Sequence, residues 1–437
     1  MKRVDALVRA TVVAFAALSL VPAAEAAPGS DWATFLGPTG DAKSSETGIL
    51  KDWGESGPEL LWHVTVGDGY AAPTIADGRL FFFDRRGSAA RLTCLDARSG
   101  KQRWRTEYAT DYEDMYGYSN GPRAVPIVDG DRVYTFGAGG RLRCHHVKDG
   151  SLIWDVDTSK AFNVAKNFFG AGSVPVIHGD LLIAGIGGSG GIVAFDKMTG
   201  EVRYRITDEL ASYSSPVIAK IGERGWGFYF ARGGLVGFEP RGGTVDFHFP
   251  FRAKKPESVN ASNPVVVGDT VFITESYGPG SAVLRVRPGG YEVVRREQSR
   301  RGQSMSCHFM TPIHHDGILY GSSGQGSGEA ELRAIDYMTG EIRWSEPGLG
   351  RATLLHVDGH LVVYTERGRL LLVEATPERY KVVADATPLL PETVKAPRRQ
   401  LLGYPAWSSP VLSHGILYLA GKGRLAAFRL IPPASGQ

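Results

Sequence analysis

Polar and aromatic side chains that could form a binding or catalytic site are concentrated in short segments that precede apolar runs. The segments are 111–123, 167–173, 211–215, 258–263, 304–309 and 404–409. The candidate site residues in them are Glu113, Asp114, Tyr116, Asn120, Arg123, Tyr213, Asn260, Asn263 and His308. A guanidinium such as that of Arg123 can hold a carboxylate or phosphate through two parallel hydrogen bonds. The alternative is that these groups bond to loop backbone and to water.

Other motifs with possible chemistry have structural explanations. The stretch AGIGGSGG at 184–191 is followed by the strand-like run IVAFD and not by a helix, so it predicts a hairpin and not a phosphate loop. The adjacent histidines at 145–146 and 314–315 would point to opposite faces of a strand, which prevents each pair from chelating one metal. No HExxH motif occurs. We therefore expect no metal site and assign no catalytic residue.

The composition is that of a folded soluble protein. The chain has 437 residues, of which 43% are hydrophobic and 22% charged, and a net charge of +3. This charge is too small to indicate a nucleic-acid partner. The three cysteines, at 94, 144 and 307, cannot all pair, and none forms a CxxC motif, so the sequence supports neither a zinc site nor haem attachment.

The first 26 residues have the features of a secretory signal peptide. Lys2, Arg3 and Arg9 precede the apolar run TVVAFAALSL, and small residues lead to a cleavage site near Ala26. The apolar run is too short to span a membrane. We expect an exported protein, periplasmic or extracellular, with no transmembrane segment in the mature chain.

A repeated phrase determines which elements position these residues. LTCLDARSGKQRW at 92–104 recurs in related form at 142–154, 192–204 and 332–344, each time with a glycine in the ninth place and an aromatic residue in the thirteenth. A preceding proline, followed by two apolar runs around a turn, recurs at 73, 126, 175, 216, 264 and 312. This spacing of 41–53 residues is that of a propeller blade of four strands.

The conserved places within the repeat have physical explanations. Glycine supplies the positive φ of a tight turn at little steric cost. Strands such as RLFFFD are apolar on both faces, and since no long helical pattern is present, other sheets must cover them. The large aromatic residue would fill the wedge between radially arranged blades. These structural aromatics are Trp62, Trp104, Trp154, Tyr204, Phe247 and Trp344.

The sequence therefore predicts an all-β, eight-bladed propeller of four-stranded antiparallel blades. The eighth unit ends without a fourth strand, and the isolated strand-like run 57–64 would complete it and close the ring. The domain boundaries are a signal peptide at 1–26, an N-terminal extension at 27–56, the propeller at 57–430 and a tail at 431–437. The candidate site residues would then gather at one mouth of the central channel.

The phrases LTCLDARSGKQRW, GIVAFDKMTGEVRY and ELRAIDYMTGEIRW resemble the repeat of the pyrroloquinoline-quinone (PQQ)-like β-propellers over about residues 30 to 430. That family includes quinoprotein dehydrogenases and propellers without cofactor, such as the assembly protein BamB. The dehydrogenases hold PQQ beside a disulfide of adjacent cysteines and use Ca²⁺, and this chain has no adjacent cysteines. BamB carries a lipidated cysteine after its signal peptide, which this chain lacks.

The resemblance favours an exported, non-catalytic binding or scaffold module of the cell envelope without a cofactor. Its partner would be a protein or a small ligand at a propeller mouth, and we expect a monomer. One alternative is a PQQ-dependent alcohol or sugar dehydrogenase with PQQ and Ca²⁺. Another is a carbohydrate- or polymer-binding propeller that uses mouth aromatics such as Tyr70, Tyr213 and Trp407.

Overall fold

The computed structural model describes residues 29–165, 169–298, 301–391 and 399–433. The predicted signal peptide and the last four residues of the predicted tail lie outside these ranges. The described chain forms eight four-stranded sheets, one of which carries a short fifth strand, and a single helical turn, α1 (Thr158–Ala161). None of the helical structure in the described ranges is long and apolar enough to cross a membrane. The predicted all-β, eight-bladed propeller is confirmed.

The strands of the N-terminal part and of the first four blades follow in chain order. Two strands precede the blades, β1 (Lys43–Ser44) and β2 (Glu59–Thr65). Blade 1 contains β3 (Thr74–Ala76), β4 (Arg79–Arg86), β5 (Ala89–Asp96) and β6 (Gln102–Ala109). Blade 2 contains β7 (Ile127–Asp129), β8 (Arg132–Phe136), β9 (Arg141–His146) and β10 (Leu152–Asp157). Blade 3 contains β11 (Val176–His178), β12 (Leu181–Gly187), β13 (Gly191–Asp196) and β14 (Val202–Ile206). Blade 4 contains β15 (Val217–Ile221), β16 (Arg224–Phe230), β17 (Gly234–Phe238) and β18 (Val245–Pro250).

The remaining four blades complete the ring. Blade 5 contains β19 (Val265–Val267), β20 (Thr270–Glu275), β21 (Gly280–Arg287) and β22 (Gly290–Arg296). Blade 6 contains β23 (Ile313–His315), β24 (Ile318–Ser323), β25 (Glu331–Asp336) and β26 (Ile342–Glu346). Blade 7 contains β27 (Ala352–Val357), β28 (His360–Thr365), β29 (Leu370–Glu374) and β30 (Val382–Ala386). Blade 8 contains β31 (Val411–Ser413), β32 (Ile416–Gly421) and β33 (Arg424–Arg429), to which β2 adds as the fourth strand.

The ring closes through the pairing of the two ends of the chain. Strand β2 lies antiparallel to β33, with Trp62 opposite Ala427 and Val64 opposite Leu425. Adjacent first strands, such as β3 and β7 or β23 and β27, lie against each other, which places the first strand of each blade nearest the axis. The residues that lead into the first strands therefore lie at one mouth of the channel.

Tight turns with positive φ connect the first two strands of the blades. In blade 1, Asp77 and Gly78 have φ angles of 48° and 67°. This is the type I′ pattern, whose twist matches that of the flanking strands. The AGIGGSGG stretch forms the predicted hairpin, between β12 and β13.

The recurring aromatic residue lies between neighbouring blades. The indole of Trp154 in blade 2 covers the turn at Gly200 of blade 3, and its Nε1 donates to the carbonyl oxygen of Lys197 at 3.1 Å. Trp62 and Trp104 make the equivalent contacts with the next blade, and Trp344 donates to the carbonyl oxygen of Thr376. The remaining two are the smaller rings of Tyr204, bonded to the carbonyl oxygen of Pro240, and Phe247, packed on Tyr291.

The described part of the N-terminal extension crosses the channel. Trp32 exchanges backbone hydrogen bonds with Ile75 on the inner strand of blade 1, and the carbonyl oxygen of Ala33 accepts from Val128 of blade 2. Strand β1 then pairs in parallel with β27 of blade 7, and the carboxylate of Glu46 accepts backbone N–H groups of the β31–β32 turn in blade 8. We call residues 29–50 the strap. It lies on the side of the β31–β32 turn, opposite the mouth.

Candidate functional site

The mouth contains a cavity of about 300 Å³, to which all eight blades contribute. One repeated position, three places before the proline of the first strand, supplies a lining residue from each of seven blades. These are Tyr70, Arg123, Gly172, Tyr213, Ala261, Phe309 and Trp407. Blade 7 lacks the proline, but its turn register places Arg351 at the same position. A second set lies two residues further on, as expected for extended segments whose alternate side chains share a face.

The cavity wall is largely aromatic. Its rings are Phe35, Tyr70, Tyr118, Phe169, Tyr213, Phe309, Tyr404 and Trp407. Phe35 belongs to the strap, so the strap supplies part of the floor. Trp407 is central, with ring centroids of Tyr70, Phe309 and Tyr404 at 4.9, 5.7 and 6.0 Å. Tyr118 stands at the rim with 59% of its surface exposed.

Two guanidiniums flank the central rings. The Arg123 Cζ lies 5.8 Å from the ring centroid of Tyr70, and the Arg351 Cζ lies 4.8 Å from that of Trp407. Because Tyr70 and Trp407 are themselves in contact, the four side chains form a continuous row along the wall, drawn from blades 2, 1, 8 and 7. Cation–π contacts of this kind fix the planes of both partners.

Each guanidinium forms an ion pair with a buried carboxylate. Arg123 is paired with Asp114, and it also donates to the carbonyl oxygens of Ser119 and Gly121. Arg351 donates from Nε and Nη2 to Glu366 at 3.0 and 2.8 Å. Burial raises the pKa of the Glu366 carboxyl, but hydrogen bonds from Ser327 and Arg351 outweigh burial and hold this pKa below its usual value. Both carboxylates therefore serve to orient the arginines.

His308 is fixed as a neutral ring between two partners. Its Nδ1 lies 3.3 Å from Nη1 of Arg351, and its Nε2 lies 3.0 Å from the hydroxyl of Tyr277. Burial, followed by the charge of Arg351, lowers the pKa of His308 to about 4. Because a guanidinium only donates, Nδ1 accepts and the ring proton is on Nε2, which donates to Tyr277.

The predicted site residues fall into two groups in the structure. Arg123, Tyr213 and His308 line the cavity. The other group orders the loops or lies outside the cavity. Asp114 orients Arg123, the Asn120 side chain accepts from the backbone of Asp114, and Glu113 and Tyr116 are exposed beside the cavity.

The two predicted asparagines also hold loop backbone. Asn260 donates to the carbonyl oxygen of Ala231, and Asn263 accepts from the backbone N–H of Ser215. Among the described residues neither belongs to the cavity lining. The alternative stated for polar loop residues, that they bond to backbone, describes these two.

Sequence analysis missed several lining residues and one buried partner. Arg351 and Phe309 were not among its candidate site residues, and Tyr70 was named only as a mouth aromatic of the carbohydrate-binding alternative. Phe309 can be recognised three places before the proline of blade 6, whereas only the turn register of blade 7 identifies Arg351. Glu366 lies in the β28–β29 turn of blade 7, and no local pattern connects it with Arg351. Phe35 had no signal because its role depends on the path of the strap.

The histidine pairs and the cysteines lie apart from the cavity. His145 is buried and bonded to the carbonyl oxygen of Gly150, whereas His146 is exposed. The ring of His315 contacts that of His356 of blade 7, with centroids 4.2 Å apart. The three thiols are free and buried, and burial raises the pKa of those in blades 1 and 2 to about 11. Within the described ranges no group of three or more His, Cys, Asp or Glu side chains could hold a metal ion.

Comparison with known proteins identifies the family. The family model described as outer membrane protein assembly factor BamB matches residues 44–222 and 88–346, more than half of the chain. The chain belongs to this family of PQQ-like β-propellers. A serine/threonine-protein kinase, AfsK of Streptomyces griseus, is 30% identical over 181 residues, which are 40% of this chain and 21% of the kinase. The chain thus spans about a fifth of the length of that relative.

Solved structures show the same fold at low sequence identity. BamB from Moraxella catarrhalis is 14% identical, with a TM-score of 0.57, over 85% of this chain and 97% of its own. The quinohemoprotein alcohol dehydrogenase from Comamonas testosteroni is 13% identical, with a TM-score of 0.62, over 93% of this chain and 82% of its own. The BamB family fold thus also occurs in an enzyme, so the function has to be argued from the site.

The cavity lining does not fit PQQ with Ca²⁺. Proteins hold Ca²⁺ largely with carboxylate and amide oxygens. No Asp, Glu, Asn or Gln belongs to the lining among the described residues, and the nearby carboxylates of Asp114 and Glu366 are engaged by arginines.

Proposed function

We propose that this chain is an exported, non-catalytic binding module of the cell envelope, and that the mouth cavity is its ligand-contacting site. The observation that supports this most strongly is the state of the titratable groups in the cavity. His308 has a pKa of about 4, and both of its ring nitrogens are engaged. Burial raises the pKa of Tyr70 to about 12 and also raises that of Tyr213.

At these pKa values Tyr70, Tyr213 and His308 are poorly suited to act as an acid, base or nucleophile near neutral pH. A general acid or base works best when its pKa lies near the operating pH. The two arginines are fixed by carboxylates, and the buried thiol of Cys307 has its pKa raised by burial. A preformed aromatic cavity with a few fixed polar groups is the usual form of a ligand-binding site.

Membership of the BamB family supports a role in the envelope. The matching family is described as an outer membrane assembly factor, and the first 26 residues have the features of a secretory signal. We propose cleavage near Ala26 and a monomeric mature protein, with a protein or small ligand bound at the mouth. N-terminal sequencing of the protein recovered from the envelope fraction and light scattering of the purified protein test these two points.

Site-specific photo-crosslinking in the producing cell tests the binding role. A photoreactive residue replaces Tyr118, which stands at the cavity rim, or Val202, which is 49% exposed on the outer strand of blade 3. We expect a defined crosslinked product from position 118 and none from position 202. Equal products from both positions, or none from either, would contradict a binding face at the mouth.

The dehydrogenase alternative has its own measurement. The purified protein is supplied with PQQ and Ca²⁺ and assayed for dye-linked oxidation of alcohols and sugars. We expect neither a saturable absorbance change nor turnover, because the described lining residues offer no carboxylate or amide side-chain oxygen to Ca²⁺. Turnover that depends on both additions would make the protein an enzyme and overturn the proposal.

A further inference from the structure

We propose that the mouth cavity binds an acidic saccharide, with the carboxylate of a uronic-acid ring held at the guanidiniums and the sugar ring packed on the aromatic wall. This inference rests on the proposed function and adds the class of ligand. Three observations carry it: the charge of the lining, the geometry of the rings and the size of the cavity.

The cavity presents positive groups and hides the negative ones. The side chains of Arg123 and Arg351 line it and are 11% and 13% exposed, whereas those of Asp114 and Glu366 are 0% and 1% exposed. Arg351 uses Nε and Nη2 for Glu366 and one contact of Nη1 for His308. Arg123 donates to its acceptors from Nη1 and Nη2 only. Each guanidinium therefore keeps N–H donors without an acceptor among the described residues, which favours an anionic group.

Neighbouring rings of the wall are tilted with respect to one another. Around Trp407, the planes of Tyr70, Phe309 and Tyr404 are inclined by 53°, 45° and 82°. Across the cavity, Phe169 and Tyr213 are inclined by 59°. A flat ligand is bound best between parallel faces, while tilted faces enclose a thick, puckered ring with axial and equatorial C–H groups. A pyranose ring has this shape.

The polar groups and the volume suit a small sugar. The lining also includes the hydroxyl groups of Ser215, Thr353, Ser409 and the tyrosines. The hydroxyl of Ser215 accepts from the backbone of Val174, and that of Thr353 donates to the backbone of Ser408. Each keeps capacity for a further hydrogen bond to a sugar hydroxyl. The volume of about 300 Å³ is at the lower end for small-molecule pockets, which limits the enclosed part of the ligand to one or two rings. The opposite side of the channel is crossed by the strap, so a longer chain would extend outward past Tyr118.

Isothermal titration calorimetry of the full mature protein tests the inference with three probes. These are the α-1,4 dimer of galacturonic acid, the corresponding neutral galactose dimer, and 2-naphthoate as a flat aromatic carboxylate. We expect the acidic dimer to bind at least about tenfold more tightly than either other probe, and its affinity to fall as the salt concentration rises. Equal binding of the neutral dimer, tighter binding of naphthoate, or no binding of the acidic dimer would overturn the inference.

Matched double variants test whether the charge of Arg351 contributes to binding of the acidic dimer. Arg351→Gln with Glu366→Gln removes both charges of the cavity pair together, so that no buried charge is left unpaired. Arg91→Gln with Asp84→Asn does the same to a pair in blade 1 that is equally buried and lies outside the cavity. We expect the first variant to bind the acidic dimer about tenfold more weakly and the second to bind it normally. Loss in both, or in neither, would refute recognition at Arg351.

A surface variant keeps the test decisive if the cavity variant does not fold. Tyr118→Ala removes an exposed ring that packs against Trp407 and Phe169 and contributes to no buried core. We expect a several-fold loss of affinity for the acidic dimer, and unchanged affinity would contradict the assigned wall. A rim crosslink from position 118 without any saccharide binding would leave the binding role in place and refute the acidic saccharide alone.

Discussion

The contact between each closing aromatic and the next turn predicts an unusually large cost for a small substitution, Gly200→Ala. Gly200 has a φ of 78°, and a Cβ there would lie 2.8 Å from Cδ2 of Trp154. The left-handed conformation alone costs about 1–2 kcal/mol for a residue with a Cβ. Forcing the buried indole aside adds about 1–3 kcal/mol of overpacking strain. The free energy of unfolding should therefore fall by about 2–5 kcal/mol.

Two further variants separate the conformational cost at Gly200 from the cost of displacing the indole. Their free energies of unfolding are measured in urea by circular dichroism. Gly179→Ala, also in blade 3, places a Cβ at a φ of 61° with no described atom within 4 Å, so it should cost only about 1–2 kcal/mol. Trp154→Ala should cost about 3–5 kcal/mol, and Gly200→Ala added to it only the conformational cost. Equal losses for Gly179→Ala and Gly200→Ala in the native background would refute the packing of the indole on the turn.

Three other perturbations give outcomes that follow directly from the contacts described. Deletion of residues 57–65 removes the strand that closes the ring and should abolish the cooperative unfolding transition, whereas an unchanged melting temperature would contradict closure. Arg295 occupies the wedge position of blade 5, against Gly340, and its Nη1 donates to Ser281 and Ser304 and lies 3.8 Å from the largely buried carboxylate of Glu297. Arg295→Ala leaves that carboxylate without its cation and should lower the free energy of unfolding by about 3–5 kcal/mol, and an unchanged value would contradict the pairing. The folded-state pKa of His308, about 4, lies below its unfolded value near 6.5, so its neutral form stabilises the fold above pH 6.5 and this stability is lost as the pH falls towards 4. The unfolding midpoint of His308→Gln should then vary less with pH over that range than that of the native chain, and identical profiles would contradict the assignment.

The repeat allowed the fold to be predicted because its signals are local. In most blades a glycine in the turn, a proline before the first strand and an aromatic residue after the turn recur at fixed places, and each place has one structural role. The closing strand could also be predicted, because a strand without partners and a blade without its fourth strand complement each other. The pattern changes in blades 5 and 7, where Arg295 and Ala384 stand at the place of the aromatic residue.

The site could be predicted only in part because polarity was used as its signal. Asn260 and Asn263 are polar because they satisfy backbone groups of buried loops, not because they face a ligand. Phe309 and Arg351 face the cavity because of their register within the repeat. The partnership of Arg351 with Glu366 and the path of the strap depend on contacts between distant parts of the chain, for which one sequence has no local signal.

The position of the strap also bears on the route by which a ligand would bind and dissociate. A tube open at both ends allows one molecule to push another through, so that entry and exit can be controlled separately. Here Phe35 and its neighbours cross the far side of the cavity, so a molecule bound at the mouth would leave by the route it entered. Side chains at the rim, above all Tyr118 and Tyr404, would then govern the rates of both capture and escape, and changes there would alter kinetics more than selectivity.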